Sequence, residues 1–214
     1  MKPKVILHIG CSLDGRIDWL KPDNFLYYRV MQDWSVDAML SGSNTILAAE
    51  MDTSPEIEKQ EDQYLVVGDS RGRIKNWDVI KRQAWWNDTP IVLCSETTPH
   101  NYLVYLGDLG VHFLVHGRDK VDLGEALEAL RDRFGIQTLR MDSGGILAGV
   151  LLRQGLVDEI SVLLSPQLTG GTSPRSIYVA EDLTALEGVV DLKLVRQQIL
   201  DQDYIHLVYE VIKS

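Results

Sequence analysis

Short apolar runs alternate with helix-length amphipathic segments along most of this chain, and that alternation restricts it to α/β architecture. Val5 to Ile9 reads as a first strand ended by Gly10. A helix follows over Asn24 to Trp34, with Asp23 as its cap. Asp37 to Leu40 is a second strand, turning at Gly42 into a helical stretch around Ile46 to Glu50. Strands are expected at Tyr64 to Val67, Pro90 to Cys94 and Val111 to Val115, with a helix near His100 to Leu109 before the last. Asp122 caps an amphipathic helix that places Leu123, Ala126, Leu127, Leu130 and Phe134 on one face. Thr138 to Met141 is the next strand. After it come the Gly144-Gly145 turn, a helix from Ile146 to Arg153 stopped by Gly155, and a strand from Ile160 to Leu164.

The C-terminal part changes period. Leu192 to Ile199 and Tyr204 to Val211 alternate apolar and polar residues, and the tight turn Asp201-Gln202-Asp203 joins them as an antiparallel hairpin. The expected fold is therefore a mixed, mostly parallel sheet with an antiparallel C-terminal edge. No repeat, low-complexity tract or Pro/Gly/Ser-rich linker divides the 214 residues, so they read as a single domain, with residues 170–176 as a loop inside it.

The formal net charge of −10 repels phosphate backbones, and no basic patch offsets it, so nucleic acid is not an expected partner. Apolar stretches fall short of the ~20 residues a membrane span needs, and the N-terminal residues lack signal-peptide design. The expectation is a soluble cytoplasmic protein. Cys11 and Cys94, each beside an apolar run, read as core thiols of a reducing compartment. No Cys/His cluster suggests a metal site.

Four segments could carry chemistry. Ser12-Leu13-Asp14-Gly15-Arg16-Ile17 leaves the first strand at its carboxyl end, where open α/β sheets bind ligands, although Asp-Gly is also a common turn pair. Gly42-Ser43-Asn44-Thr45 stands between strand and helix, where backbone N–H groups attract phosphate or a hydroxyl simply caps. Asp69-Ser70-Arg71-Gly72-Arg73 combines two guanidinium forks and a hydroxyl that could hold a phosphate monoester, or it is a solvated loop. Asp142-Ser143-Gly144-Gly145 would let the backbone approach a pyrophosphate, or would serve close strand-to-helix packing. Together the segments suit one dinucleotide phosphate chain, with the basic loop selecting a 2′-phosphate. Of the histidines, His8, His112 and His206 fall on strands as structural residues. Trp77, Trp85 and Trp86 could shape a pocket or a dimer contact.

The run Gly155-Leu156-Val157-Asp158-Glu159, then Pro166 and Gly170-Gly171, resembles the GLVDE…P…GG signature of the riboflavin-pathway pyrimidine reductases. Ser12 to Ile17 is similar to that family's S/T-x-D-G-K/R-I/L segment, and Asp37 through Gly42 to Thr45 to its D-x-x-x-x-G-x-x-T cofactor segment. Asp69-Ser70 with Arg73 resembles D-S-x-x-R, and Asp142 to Gly145 stands where the family has E-G-G. The resemblance implies a dihydrofolate-reductase-like three-layer fold, usually assembled as a homodimer. It also implies NADPH, and hydride transfer to the sugar C1′ of a ribosylaminopyrimidinone phosphate. By position in it, Asp14 and then Asp142 are the catalytic candidates, and Ser12 and Arg16 the substrate-binding ones. Gly42, Thr45, Ser70, Arg73, Gly144 and Gly145 are the cofactor-binding candidates.

Departures bear on the substrate. Where the family carries D-D-P-x-L-T-x-R, residues 48–55 read Ala-Ala-Glu-Met-Asp-Thr-Ser-Pro, without arginine. Asp142 and Ser143 replace Glu and Gly of the family pattern, and Asp18 stands where it tends to have Ala. Two alternatives therefore stay open: a reductase of this fold acting on a pterin-like or other heterocycle, and a non-catalytic nucleotide-binding protein.

Overall fold

The computed structural model describes residues 1–21, 23–54, 62–172 and 176–213. In chain order its elements are β1 (Lys4–Ser12), α1 (Asn24–Met31), β2 (Ala38–Gly42), α2 (Ser43–Ala48), β3 (Tyr64–Gly68) and α3 (Trp77–Ile80). They continue with β4 (Ile91–Cys94), α4 (His100–Asp108), β5 (His112–Val115), α5 (Leu123–Phe134), β6 (Thr138–Met141) and α6 (Ile146–Arg153). The last are β7 (Glu159–Ser165), β8 (Leu192–Ile199) and β9 (Ile205–Val211). Two compact units result, the first made of residues 1–3 and 36–139, the second of 4–35 and 140–214; the division falls within β6.

In the first unit β2, β3, β4 and β5 pair in parallel, for example Leu40 with Val66, Val67 with Val92 and Ile91 with His112. Asp37 sets the start of this array. Its Oδ2 accepts the amides of Gln137 and Thr138 at 2.8 Å each, a tie across about a hundred residues of chain. The core packs Leu65, Val67, Val92, Cys94, Tyr102 and Leu106. Trp77 and Trp86 belong to it too, which corrects the expectation of a pocket or dimer contact for these two. Their indole N–H groups donate inward, to Tyr102 Oη at 2.8 Å and the Ile80 carbonyl at 2.7 Å, so each buries a large ring without an orphaned donor. Trp77 also opens α3, a short helix its polar flanks concealed in the sequence. Trp85 is half exposed.

In the second unit β1 pairs with β7 in parallel, and β7, β9 and β8 are antiparallel neighbours, with a bulge between Leu194 and Arg196. The hairpin turn is a tight 3₁₀ turn in which Gln202 and Asp203 take positive φ. Gly10 does not end β1: the strand runs on to Ser12, paired with Ser165. Gly10 lies under α1, where a Cβ would come 3.5 Å from the Tyr27 ring, an ordinary van der Waals contact. The helix α1 stops at Met31 rather than Trp34, and Asp23 caps it as expected, accepting from the Leu26 amide at 3.0 Å. Asp158 of the GLVDE run is a structural pin, since its Oδ2 accepts the Val5 amide at 2.7 Å where β1 begins. Cys11 and Cys94 are free, buried thiols. Among the described residues no helix is long and apolar enough to cross a membrane.

Candidate functional site

In the first unit the sequence motifs meet at the start of α2. The exposed Arg73 donates through one terminal nitrogen to Ser43 Oγ at 2.6 Å and Asn44 Oδ1 at 2.7 Å. These bonds hold a cation over the first turn of a helix whose backbone N–H groups have no intrahelical acceptor. Gly42 precedes that turn in extended backbone, and Thr45 is exposed upon it. Ser70 is fixed through its carbonyl, which accepts from Thr98 Oγ1 at 2.8 Å. The buried Asp69 is the pivot of this loop, its Oδ2 accepting the Ile74 amide and the Tyr102 hydroxyl at 3.0 Å each. Its Oδ1 is buried and meets no donor among the described residues. An anchored guanidinium, hydroxyls and a helix start form a cradle suited to a phosphate-bearing ligand.

In the second unit the Ser12–Arg16 segment is a clamped loop. The Asp14 carboxylate accepts Ser12 Oγ at 2.6 Å, the Thr169 amide at 3.2 Å and the Gly170 amide at 2.8 Å. Gly170 and Gly171 both take positive φ, a conformation glycine adopts without strain, which turns these amides toward the carboxylate. Arg16 donates to the Gly171 carbonyl. The Ser12 hydroxyl, followed by the Thr169 and Gly170 amides, pulls the Asp14 carboxyl down to about 2. A carboxylate so held is a fastener for the loop and a poor proton donor. Of the loop at 170–176, residues 173–175 lie outside the described residues, as does Pro55 of the 48–55 segment.

Beside this loop's strand lies a pocket of about 370 Å³, lined by Ile9, Gly10, Cys11, Ile17, Trp19, Leu20, Tyr27, Tyr28, Leu163 and Ser165 with Asp23, Asn24, Asp142, Gly144 and Tyr204. Its walls are largely aromatic and aliphatic, the profile of a site for a flat organic ring. Trp19 stands at its rim, 90% exposed and with a positive φ of 61°. Asp142 is nearly buried and forms a fork with Arg140, Nε to Oδ1 at 2.8 Å and Nη2 to Oδ2 at 3.3 Å. Burial pushes its carboxyl above the usual range, against the pull of Arg140. Burial, with the Asp14 charge, also lifts the Cys11 thiol to about 11, which favours the protonated thiol.

The glycine pair serves packing on one side. The Gly145 N–H donates to the Ile177 carbonyl at 3.0 Å, and a Cβ on Gly144 would strike Ile9 at 2.6 Å. Gly145 therefore offers no spare N–H to a pyrophosphate, while Gly144 lines the pocket. Sequence reasoning missed Arg140, Tyr27 and Trp19. Arg140 carried a signal, an arginine two residues before the motif carboxylate and on the same side of a strand.

Residues 3–206 match the RibD C-terminal domain family. A relative from Methanothermobacter thermautotrophicus, named 2,5-diamino-6-ribosylamino-4(3H)-pyrimidinone 5′-phosphate reductase, is 28% identical over 221 residues, covering 96% of this chain and 97% of the relative. A protein of the same name from Archaeoglobus fulgidus is 28% identical over 200 residues, covering 85% of this chain and 88% of the relative. Among solved structures, Acinetobacter baumannii RibD superposes with a TM-score of 0.76 at 24% identity over 99% of this chain. This chain spans 58% of that protein's length, and the likeness is one of fold, dihydrofolate-reductase-like α/β.

Proposed function

The chain belongs to the RibD C-terminal domain family, and from that premise we propose that residues 1–214 act as one NADPH-dependent reductase domain of riboflavin biosynthesis. Its substrate is 2,5-diamino-6-ribosylamino-4(3H)-pyrimidinone 5′-phosphate, the compound in the names of the archaeal relatives, and its product the ribitylamino compound. The observation that carries the reading lies in the first unit, and the second unit adds its own. The first unit has a phosphate cradle built on Arg73, Ser43 and Asn44. The second has an apolar, aromatic pocket with a single forked carboxylate, Asp142.

Arg73 and Ser70, with Gly42 and Thr45 at the helix start, would hold the adenosine 2′-phosphate and the phosphate chain; Gly144 lines the ring pocket of the second unit. When bound, NADPH supplies a hydride equivalent to the sugar C1′. The residues of the chain orient and shield. The pocket takes the pyrimidinone ring between Trp19 and Tyr28 at the rim and Tyr27 and Leu163 within. Asp142, with its carboxyl raised by burial, handles the proton as the sugar ring opens, which is general acid–base work. Asp14 keeps the Ser12–Arg16 loop in place, and Arg16, which donates to the Gly171 carbonyl, is the candidate for the substrate phosphate.

The exposed Leu192, Leu194, Val195 and Ile199 of β8, which pairs only with β9 among the described residues, support a homodimer through this edge. Free buried thiols suit the cytoplasm, and the net charge of −10 suits a small-molecule partner rather than nucleic acid. The test is to incubate the purified chain with NADPH and the ribosylaminopyrimidinone phosphate and follow products by mass spectrometry. A product gaining two hydrogens, dependent on both reactants, supports the reading. Turnover of a pterin instead would favour the altered 48–55 segment as the sign of another substrate, and no turnover of any heterocycle would overturn the enzyme.

A further inference from the structure

The lining of the second unit's pocket limits which end of a ligand can enter it. Among the described residues its charged members are Asp23 and Asp142. Asp23 is already engaged, capping α1 through Oδ1 and accepting Gln202 Nε2 through Oδ2 at 2.9 Å. Asp142 is engaged too, by the Arg140 fork, so among the described lining residues no charged group stands free for a phosphate, and the apolar walls suit the uncharged ring of a substrate.

Within this pocket Tyr27 has an incompletely used donor. Its ring is seated over Gly10, packs against His8 at 4.5 Å between centroids, and meets Tyr28 edge-on at 5.7 Å. Three neighbours thus fix the ring. Its hydroxyl, by contrast, donates among the described residues to the His8 carbonyl at 3.4 Å, long for an O–H donor whose bonds centre near about 2.7–2.8 Å. A fixed ring with an under-used O–H, among apolar walls, is arranged to complete its hydrogen bond with a ligand.

We propose that Tyr27 is a specificity-determining residue, donating its phenolic hydrogen to the ring carbonyl of an uncharged, amino-substituted heterocycle held in this pocket. The inference rests on the reductase reading above. A pyrimidinone and a pterin both carry such a carbonyl, and turnover of the two compounds decides between them.

The test is Tyr27→Phe, which keeps every ring contact and removes only the hydroxyl. KM for the ring substrate should rise about tenfold, equivalent to about 1.4 kcal/mol, with kcat within about twofold and NADPH affinity unchanged, as for one neutral hydrogen bond. Tm should stay within about two degrees, because the hydroxyl contributes little to the free protein. A substrate analogue lacking the ring carbonyl, used as a competitive inhibitor, should bind wild type and variant equally. An unchanged KM in an active enzyme overturns the inference alone, as does a clear fall in Tm or an analogue whose affinity falls in step with the substrate's. If the wild-type chain turns over neither heterocycle, the reductase reading fails first and the inference with it.

Discussion

The second unit buries a neutral chain of two histidines and a serine, and its stability should fall as the solution is acidified well before most carboxylates titrate. His8 Nδ1 and His206 Nε2 each lie 2.8 Å from Ser161 Oγ, and all three residues are fully buried. In the neutral state one ring N–H donates to the hydroxyl, which donates on to the other ring. The outer nitrogens, His8 Nε2 and His206 Nδ1, have no partner among the described residues. Protonating the donating ring would bury a charge and, on its outer side, an N–H without an acceptor; protonating the other would bury a charge and turn its inner nitrogen from acceptor to donor, costing the serine hydroxyl its acceptor. Burial, with the nearby Arg140 and His206 charges, depresses His8 from 6.5 to about 3. His206 is lowered by burial and by Arg196, with Asp33 opposing.

The sign follows from which state binds protons. Below the ordinary histidine value the unfolded chain takes up a proton that native His8 refuses, so stability is full above that value and falls with pH down to the depressed one. At about 1.4 kcal/mol per tenfold in proton affinity, the whole depression amounts to about 5 kcal/mol, of which about 2 is lost between roughly pH 7 and pH 5. His206 adds to the loss in the same direction. Urea unfolding followed by fluorescence at a series of pH values measures it, and domains of only about 5–15 kcal/mol make such a loss conspicuous. A His8→Gln variant should lose about 2 kcal/mol less over the same interval. A flat profile in the wild type, or a His8 imidazole titrating near its ordinary value by NMR, would refute the reasoning.

Three further outcomes are expected. Arg73→Ala should weaken NADPH at least tenfold, about 1.4 kcal/mol, and leave NADH nearly unchanged when both are titrated by calorimetry. Asp142→Asn should lower kcat by about a hundredfold or more; in the wild type, activity that depends on the protonated carboxyl should decline as pH rises through its raised value. Gly149→Ala would set a Cβ 2.1 Å from the Val179 carbonyl, and overpacking of that kind costs about 1–3 kcal/mol, visible as a lower Tm with unchanged NADPH affinity.

Local signals in the chain were sufficient for most elements. Asp122 stands before a run of apolar residues at helical spacing and caps α5 by accepting the Glu125 amide at 3.0 Å, while Thr138–Met141 and Ile146–Arg153 form over the expected residues. Caps and periodicity are properties of neighbours in sequence, so they can be read there. The roles of single polar groups are not local. Asp14 reads in the sequence as a proton-handling or substrate-orienting carboxylate at a strand end, and its hold on the loop, through an amide 156 residues away, is visible only in the fold. Trp77 and Trp86 sit in a polar stretch, yet the core of the first unit closes over them. Tyr27 had no motif to mark it; the His8 and Gly10 it packs beside come from another element. The residues that resemble family motifs were visible from the start, but which of them fasten the fold and which face a ligand depended on partners brought together by tertiary structure.

The most direct test of the reductase account is a comparison of kcat/KM for the ribosylaminopyrimidinone phosphate and for a dihydropterin, with NADPH and the purified chain. The account predicts NADPH oxidation with the pyrimidinone phosphate, at least a hundredfold more efficient than with the pterin, about 2.7 kcal/mol of discrimination. Equal or inverted efficiencies, or no oxidation with the pyrimidinone, would contradict it.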